Sequence, residues 1–450
     1  MKLLILTGGS GKRLWPLSND IYSKQFLKVL KNEDGVPQSM VQRVYHQLKQ
    51  LNLHDSSYII TNHKQLDVLY SQLGAKINTI IEPEQRDTFP AILLGCSYLY
   101  SLTDVKKDEF IGVIPVDSYV EPEYYSKLND LSIAVNDSGA NIGLIGLTPL
   151  YPTDKYGYIK TQPIDKDYYN VSTFIEKPNI EKAKELISQQ ALWNSGLFMF
   201  RLSFILNILR DNKLPIEYDE LVSNFDQIKK TSFDYEVVQQ NKKVVSLPYS
   251  GNWKDLGSWD TISQELPNIN GMGKINDCNN THLINTLNTP VVVNGIDNAI
   301  ITVSPDGILV SDKTKSSNLK EIISDINRRP MYEERRWGWY QCIDFQETDQ
   351  NQVLIKRIKV DAGKNLSYQL HHYRKEVWTI TEGHGLFAYK GQIKPIKPGD
   401  VLKIDQGEEH GVKAITDLEM IEVQMGNQLI EEDIVRLFMT WEEIETHCSK

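Results

Sequence analysis

Cysteine is scarce in this sequence: Cys96, Cys278, Cys342 and Cys448 are the four among 450 residues, far apart and with no CxxC pair. That spacing excludes a disulfide framework and a zinc knuckle, and it fits a reducing compartment. No run of roughly eighteen apolar residues is present, so no helix is expected to span a bilayer. Met1–Leu6 offers one Lys and a few apolar residues before Thr7-Gly8-Gly9, too short for the apolar region of an export signal. A cytoplasmic location is the expectation. Long Lys/Arg blocks are also missing and the net charge is -10, which argues against a nucleic-acid backbone as partner. Any anionic substrate must therefore be met by a local cationic pocket.

What is present is enough chain for two or three cores. To about residue 150, β-branched apolar runs (Lys2–Thr7, Ser57–Thr61, Ile111–Val116, Ile142–Thr148) alternate with stretches of helical period (Met40–Leu51, Gln65–Leu73, Pro90–Leu102). That alternation predicts an α/β domain, doubly wound around a mostly parallel sheet. Between Pro178 and Trp259 the pattern is mixed, with helices over Ile180–Gln189 and Ser203–Arg210, and it reads as an insertion lining one side of a cleft. Short strands separated by turn signals follow, at Pro290–Gly295, Ala299–Val303 and Ile308–Ser311, and suggest a β connector of one or two β-helix rungs. Beyond Asn327-Arg-Arg-Pro330 nearly everything is short strand, among them Val353–Val360, Val377–Thr381, Gly385–Tyr389, Asp400–Ile404 and Met420–Met425, as in a sandwich or barrel. A helix over Glu431–Trp441 is expected near the end. The resulting division is 1–265, 266–330 and 331–450.

The first chemical signal is Leu6-Thr7-Gly8-Gly9-Ser10-Gly11-Lys12-Arg13-Leu14-Trp15-Pro16, directly after the first predicted strand. Glycines let backbone N–H groups approach phosphate oxygens, and Lys12 and Arg13 add charge where a triphosphate would sit. A Walker loop does not fit, because Leu6 stands six before Lys12 and Arg13 follows it. A dinucleotide fingerprint starting at Gly9 would need glycine at Leu14. Alone, such a stretch is as often an ordinary turn with a solvated basic pair.

Its wider context is more specific. Gly8–Ser18 with Ser23-Lys24-Gln25-Phe26-Leu27 resembles the mannose-1-phosphate guanylyltransferase family, with Lys12 and Ser23 standing where the family has Thr or Ser and Pro. Glu82-Pro-Glu-Gln-Arg86-Asp87-Thr-Phe-Pro90 is similar to its base-binding segment, with Asp87 in place of Asn. Ile114-Pro-Val-Asp117 matches its metal-binding strand end, with Ser118 replacing a usual His. Tyr156–Ile159, Phe174–Pro178, Trp193–Gly196 and Trp253–Trp259 match as well. The resemblance implies attack of a sugar-1-phosphate oxygen on the α-phosphorus of a nucleoside triphosphate, with mannose 1-phosphate and GTP as the substrates. It assigns Gly8, Gly9, Gly11, Lys12, Arg13, Glu82, Arg86 and Asp87 to the nucleotide, and Gly157, Glu176, Lys177 and Asn194 to the sugar phosphate. Asp117 and Asp255 would hold Mg²⁺, with Arg13 on the departing pyrophosphate and Lys24 near the transferred phosphate. Without it, Asp117 after an apolar run would read as a helix cap or turn residue.

Farther on, Arg336–Tyr340 and Leu366-Ser-Tyr-Gln369-Leu-His371-His-Tyr-Arg-Lys-Glu376-Val-Trp378 resemble the cupin barrel of bifunctional guanylyltransferase/phosphomannose isomerases. Gln369 and His371, two apart, point to one face of a strand. With Glu376 and His410 from later strands they make a plausible Zn²⁺ set of N and O donors. Glu431–Arg436 resembles another segment of that family and makes Arg436 a candidate for contacting an isomerase substrate. Tyr373, Val377 and Asp405 depart from its pattern, and lone histidines more often pack or hydrogen-bond inside a barrel. Three readings stay open: this transferase with or without isomerisation of mannose 6-phosphate, a transferase for another sugar or base with a non-catalytic cupin, and a sugar-nucleotide-binding regulator without catalysis. The expected partners are the nucleoside triphosphate, the sugar 1-phosphate and a second copy of the chain.

Overall fold

The computed structural model describes every residue except Ser10, Pro163, Asp165, Asn327, Asp349 and Lys450. Ser10 of the glycine-rich loop and Asn327 of the polar stretch before the barrel thus lie outside the described residues. The α/β half is built on a nine-stranded sheet among those residues. Its left side is parallel: Lys2–Leu6 lies between Ser57–Asn62 and Phe110–Pro115, with Asn78–Glu82 outermost. These strands read as near-continuous apolar runs because helices cover both faces. Met40–Gln50 is one of those helices, started by a capping box between Ser39 and Gln42 and buried through Met40, Val41, Val44 and Leu48. Another, Thr88–Leu102, is buried on almost every side. The chain moves from Lys2–Leu6 first to one neighbour and later to the other. That reversal opens a crevice beyond the strands' carboxyl ends, where open α/β sheets take ligands.

The segment between Pro178 and Trp259 forms the expected helices, Ile180–Ser188 and Leu202–Asp211, and lines the cleft through Asn194, Asp234 and Trp253, but it is part of the sheet rather than an insertion beside it. Leu192–Arg201 enters the middle of the sheet, antiparallel to both Phe110–Pro115 and Ile142–Leu147, and Val244–Tyr249 runs parallel to Ile142–Leu147. The sheet is therefore mixed, and the pair Tyr158–Gln162 and Tyr169–Ile175 closes its far edge antiparallel. Trp193, Leu197, Met199 and Phe200 are buried, and burial on both faces suits a central strand between the two helices.

The connector stacks parallel strands at a spacing of 18 residues, with Asn276 Nδ2 donating to Asn294 Oδ1 at 2.6 Å and Asn280 Nδ2 to Asn298 Oδ1 at 2.8 Å. This is the β-helix geometry expected, with asparagine ladders satisfying the turns. It leans on the α/β half through Ser304 Oγ, which donates to the Pro16 carbonyl at 2.6 Å.

Among the described residues, the C-terminal part is a barrel of two sheets, six-stranded and five-stranded, around Trp378, Ile380, Phe387, Val412 and Met420. No helix covers Glu431–Trp441. Val435–Phe438 is a strand on Tyr368–Leu370, and the helix is Trp441–His447, set by the Thr440/Glu443 capping box. Apolar residues at 435, 437 and 438 were the misleading signal, since a short edge strand and a helical turn share that spacing.

The barrel's first strand, Tyr332–Arg335, binds the α/β half. Buried Glu334 accepts from Lys28 Nζ at 2.8 Å, Ser71 Oγ at 2.6 Å and Gln72 Nε2 at 3.4 Å, and Arg335 Nη1 donates to Asp67 Oδ2 at 3.1 Å. Glu334→Ala strands these donors at a buried junction and should cost about 2 kcal/mol. A lowered denaturant midpoint, with Glu334→Gln losing less, is the expected reading; unchanged midpoints for both variants would remove the junction from the stability account. Among the described residues no helix is long and apolar enough to cross a membrane.

Candidate active site

Gly8, Gly9 and Gly11 follow the first strand. A Cβ on Gly11 would lie 2.5 Å from both the Asn19 carbonyl and Ser23 Cα, and one on Gly8 would lie 2.8 Å from Glu82 Oε2. Glycine is thus required for the loop to fold against Ser18–Ser23 and against the buried Glu82 carboxyl. Gln25 Nε2 holds the Thr7 carbonyl and Ser18 Oγ holds that of Gly11. The basic pair separates: Arg13 lines the cleft, whereas Lys12 lines another cavity of about 200 Å³ beside Asp20 and Lys64.

Asp117 and Asp255 are brought together by pairing of Ser118–Val120 with Trp253–Asp255, in which Asp255 lies opposite Ser118 and Leu256 N donates to the Asp117 carbonyl at 3.0 Å. Lys24 Nζ donates to Asp117 Oδ2 at 2.6 Å. Burial works to raise the pKa of Asp117, but the Lys24 charge and hydrogen bond overcome it and leave the carboxyl lowered. Asp255 is raised, by burial first and then by the charge of Asp117. Its Oδ1 is buried without a hydrogen-bond partner, and a Cβ on Gly257 would sit 2.7 Å from that oxygen. Two adjacent carboxylates, one with an unused oxygen, are a donor set suited to a hard divalent ion.

Two adjoining cavities open here, of about 610 and 230 Å³, sharing Arg13, Lys155, Tyr156, Lys177, Trp253 and Asp255. The smaller brings Gly157, Glu176, Lys177 and Asn194 together with Asp117. A Cβ on Gly157 would lie 2.6 Å from Glu176 Oε2. Lys177 Nζ pairs with Glu176 Oε1 at 2.7 Å; burial acts to lower its pKa, and the charge of Glu176 reverses this so that it is raised. Asn194 Nδ2 donates to Asp234 Oδ1 at 2.6 Å.

The base-binding candidates diverge. Glu82 is 2 % exposed and its carboxyl is pushed up to about 8 by burial and then by Asp87. Asp87 caps the helix Thr88–Leu102 with a positive φ of 75° and accepts from Thr88 N at 2.7 Å. Arg86 donates through Nε and Nη2 to the Ile228 carbonyl and pairs with Glu84. Its guanidinium ties two chain segments and lines neither cavity.

In the barrel, His371, Glu376 and His410 are buried with ligand atoms within 4.8 Å of one another. His371 Nδ1 lies 2.5 Å from the Asp433 carbonyl and His410 Nδ1 lies 2.9 Å from that of Glu408. Donation there turns both Nε2 lone pairs to the centre. Gln369 Nε2 is 3.4 Å from His371 Nε2, on the same side as expected. Arg436 lies opposite Gln369 on the neighbouring strand and is exposed. Sequence reasoning missed Arg374: its buried guanidinium donates from Nε to Glu376 Oε1 at 2.8 Å and approaches His371 Nε2 at 3.3 Å. It also missed Glu422, pushed up to about 8 by burial and then by Glu376, and Asp234. An ionisable residue at an inward strand position was the available signal for Arg374 and Glu422; the sequence around Asp234 held none.

Residues 2–270 match the family model described as nucleotidyl transferase, and residues 326–438 match that of the mannose-6-phosphate isomerase C-terminal domain. A mannose-1-phosphate guanylyltransferase of Salmonella muenchen is 30% identical over 475 residues, covering 96% of this chain and 97% of its own. Another, from Escherichia coli (strain K12), is 27% identical over 473 residues, covering 96% and 97%. Among solved structures, the crystal structure of mannose-1-phosphate geranyltransferase from Thermus thermophilus superposes with a TM-score of 0.60 at 24% identity, over 72% of this chain and 98% of that one. This last likeness is one of fold.

Proposed function

We propose that this chain, which belongs to the nucleotidyl transferase family, joins mannose 1-phosphate to GTP, forming GDP-mannose and releasing pyrophosphate. The observation that carries the reading is the meeting of Asp117, Asp255, Lys24 and Arg13 beyond the carboxyl ends of the parallel strands. Both substrates are anions, so catalysis consists of neutralising charge and holding the line of attack, with no covalent intermediate needed. Asp117 and Asp255 would hold Mg²⁺, which supplies charge neutralisation on the phosphates when bound. Lys24 orients Asp117 and stands beside the transferred phosphate. Arg13 faces the departing pyrophosphate, and Lys177 meets the sugar phosphate. The glycine loop lets the chain turn closely enough to set Arg13 in the cleft beside the nucleotide.

Glu82 supports guanine. A buried carboxyl gains from paired donors, and guanine offers N1–H and N2–H₂ on one edge for its two oxygens. An amide there pairs with only one of those donors, so Glu82→Gln should lower kcat/KM for GTP on the order of 100-fold. The carboxylate is the pairing form, and burial with the nearby Asp87 pushes its pKa up to about 8. KM for GTP should therefore rise as pH falls below 8, and Glu82→Gln should flatten that dependence. A pH-independent KM in the unaltered protein would remove Glu82 from base recognition.

The direct test of the whole reading is pyrophosphate release with Mg²⁺ over a matrix of nucleotides and sugar phosphates. Product from CTP, UTP or dTTP but not GTP overturns the guanylyl assignment.

A second reading, for the barrel, is favoured by the converging Nε2 atoms of His371 and His410 with Glu376 between them. These residues, with Gln369 alongside, would hold Zn²⁺ or a similar ion, which polarises a carbonyl when bound. Interconversion of mannose 6-phosphate and fructose 6-phosphate then requires a proton to move between neighbouring carbons, and Arg436 near the same strand is the candidate for the phosphate.

A further inference from the structure

We infer that Asp234 selects the sugar: its carboxylate and that of Glu176 together accept hydrogen bonds from hydroxyls of the hexose ring. The inference rests on the transferase reading. Asp234 opens a five-residue π-helical turn, Asp234–Val238, a rare arrangement that gathers at functional sites. The turn sets the carboxyl on the wall of the smaller cavity beside Glu176 and Asn194. Just past it, Gln239 Oε1 accepts from Glu176 N at 3.0 Å, so one short element places both acids.

Asn194 Oδ1 accepts from Gly196 N at 3.2 Å, which fixes the amide and directs Nδ2 to Asp234 Oδ1. Glu176 Oε1 takes Lys177, whereas Glu176 Oε2 is buried with no hydrogen-bond partner. Burial, and then the charge of Glu176, pushes Asp234 up to about 7. Two neighbouring carboxyls, one with an oxygen that has no donor, repel a phosphate and match neutral hydroxyls. Arg13 and Lys177 line the same cavity, so it combines cations with acceptors. That polarity suits a molecule with phosphate on one carbon and hydroxyls around the rest of its ring.

The test measures kcat/KM for mannose 1-phosphate and its 2-, 3-, 4- and 6-deoxy analogues, with wild type, Asp234→Ala and Asn194→Ala. Wild type should penalise the loss of at least one hydroxyl by about 100-fold or more, because a site built to pair a hydroxyl is left with an unpaired buried group. In Asp234→Ala that penalty should fall to about tenfold or less at the same position, with KM for GTP within about twofold. Each penalty is a ratio on one preparation, so a poorly folding variant still reports it. Unchanged penalties in Asp234→Ala overturn the inference. So do penalties that fall identically in Asn194→Ala, which would mean that Asp234 only aims the amide. A wild-type chain that releases no pyrophosphate with any substrate overturns the transferase reading itself and the inference with it.

Discussion

Asp255→Asn is expected to lower kcat for nucleotidyl transfer about a thousandfold, roughly 4 kcal/mol of transition-state stabilisation, with little change in KM for the sugar phosphate. The residue is uncharged after the change but has the same shape, so the backbone pairing of Trp253–Asp255 with Ser118–Val120 stays. What disappears is half of the negative charge proposed to hold Mg²⁺, and one carboxylate oxygen becomes an NH₂ that cannot ligate the ion. Loss of kcat and kcat/KM together marks an interaction made in the transition state. Unfolding does not account for the loss. Burial and the adjacent Asp117 raise the pKa of Asp255 in the folded protein, so above its unfolded value the ionised carboxyl destabilises the fold, and an amide should leave stability at neutral pH equal or higher. Asp117→Asn should cost as much, since it also releases Lys24. Steady-state pyrophosphate assays over a Mg²⁺ series decide the matter: near-normal rates in both variants would sink the two-carboxylate site.

His371→Ala is expected to abolish divalent-ion binding at the site proposed in the barrel and to lower the proposed isomerisation about 10³-fold or more, while the proposed GTP-dependent transfer continues. Two imidazoles and a carboxylate make a bound ion; removal of one imidazole leaves a weak site. Arg374 sharpens the expectation. Its guanidinium already holds Glu376 Oε1, and two cations repel at contact distance, so ion uptake requires that hydrogen bond to loosen. Metal analysis under non-chelating conditions should find about one equivalent in the wild type and almost none in the variant. No barrel ion in the wild type would remove both the site and the metal-dependent isomerase, leaving the barrel a structural module whose strand Tyr332–Arg335 braces the transferase half. The two sites share no residue, which is why one chemistry should survive loss of the other.

The parts of the fold legible in the sequence were those written in local patterns. Apolar runs such as Ile111–Val116 and the helical period of Met40–Leu51 specify elements by short-range packing, and these stand where expected. Residues 178–259 were not legible as sheet: whether a run such as Trp193-Asn-Ser-Gly-Leu-Phe-Met-Phe lies at an edge or in the middle depends on which strands it meets. Val435–Phe438 shows the same limit at small scale. Its pairing partner Tyr368–Leu370 lies more than sixty residues away, and no local pattern encodes it.

The candidate site divides the same way. The sequence by itself determined the family, through the glycine loop, Lys24, Asp117 and Asp255 in their motifs, and with it the class of reaction. It also determined the chemical types available in the barrel. Only the tertiary structure decided which of these side chains meet: that Lys12 turns from the cleft while Arg13 faces it, that Arg86 is spent on the Ile228 carbonyl, that Asp234 joins Glu176, and that Arg374 stands among the histidines. The physical reason is that motif residues are set by short backbone geometry, such as a strand end or a tight turn. A convergence of charges from separate elements depends on burial and on the partners that offset its cost, and both exist only once the chain has folded.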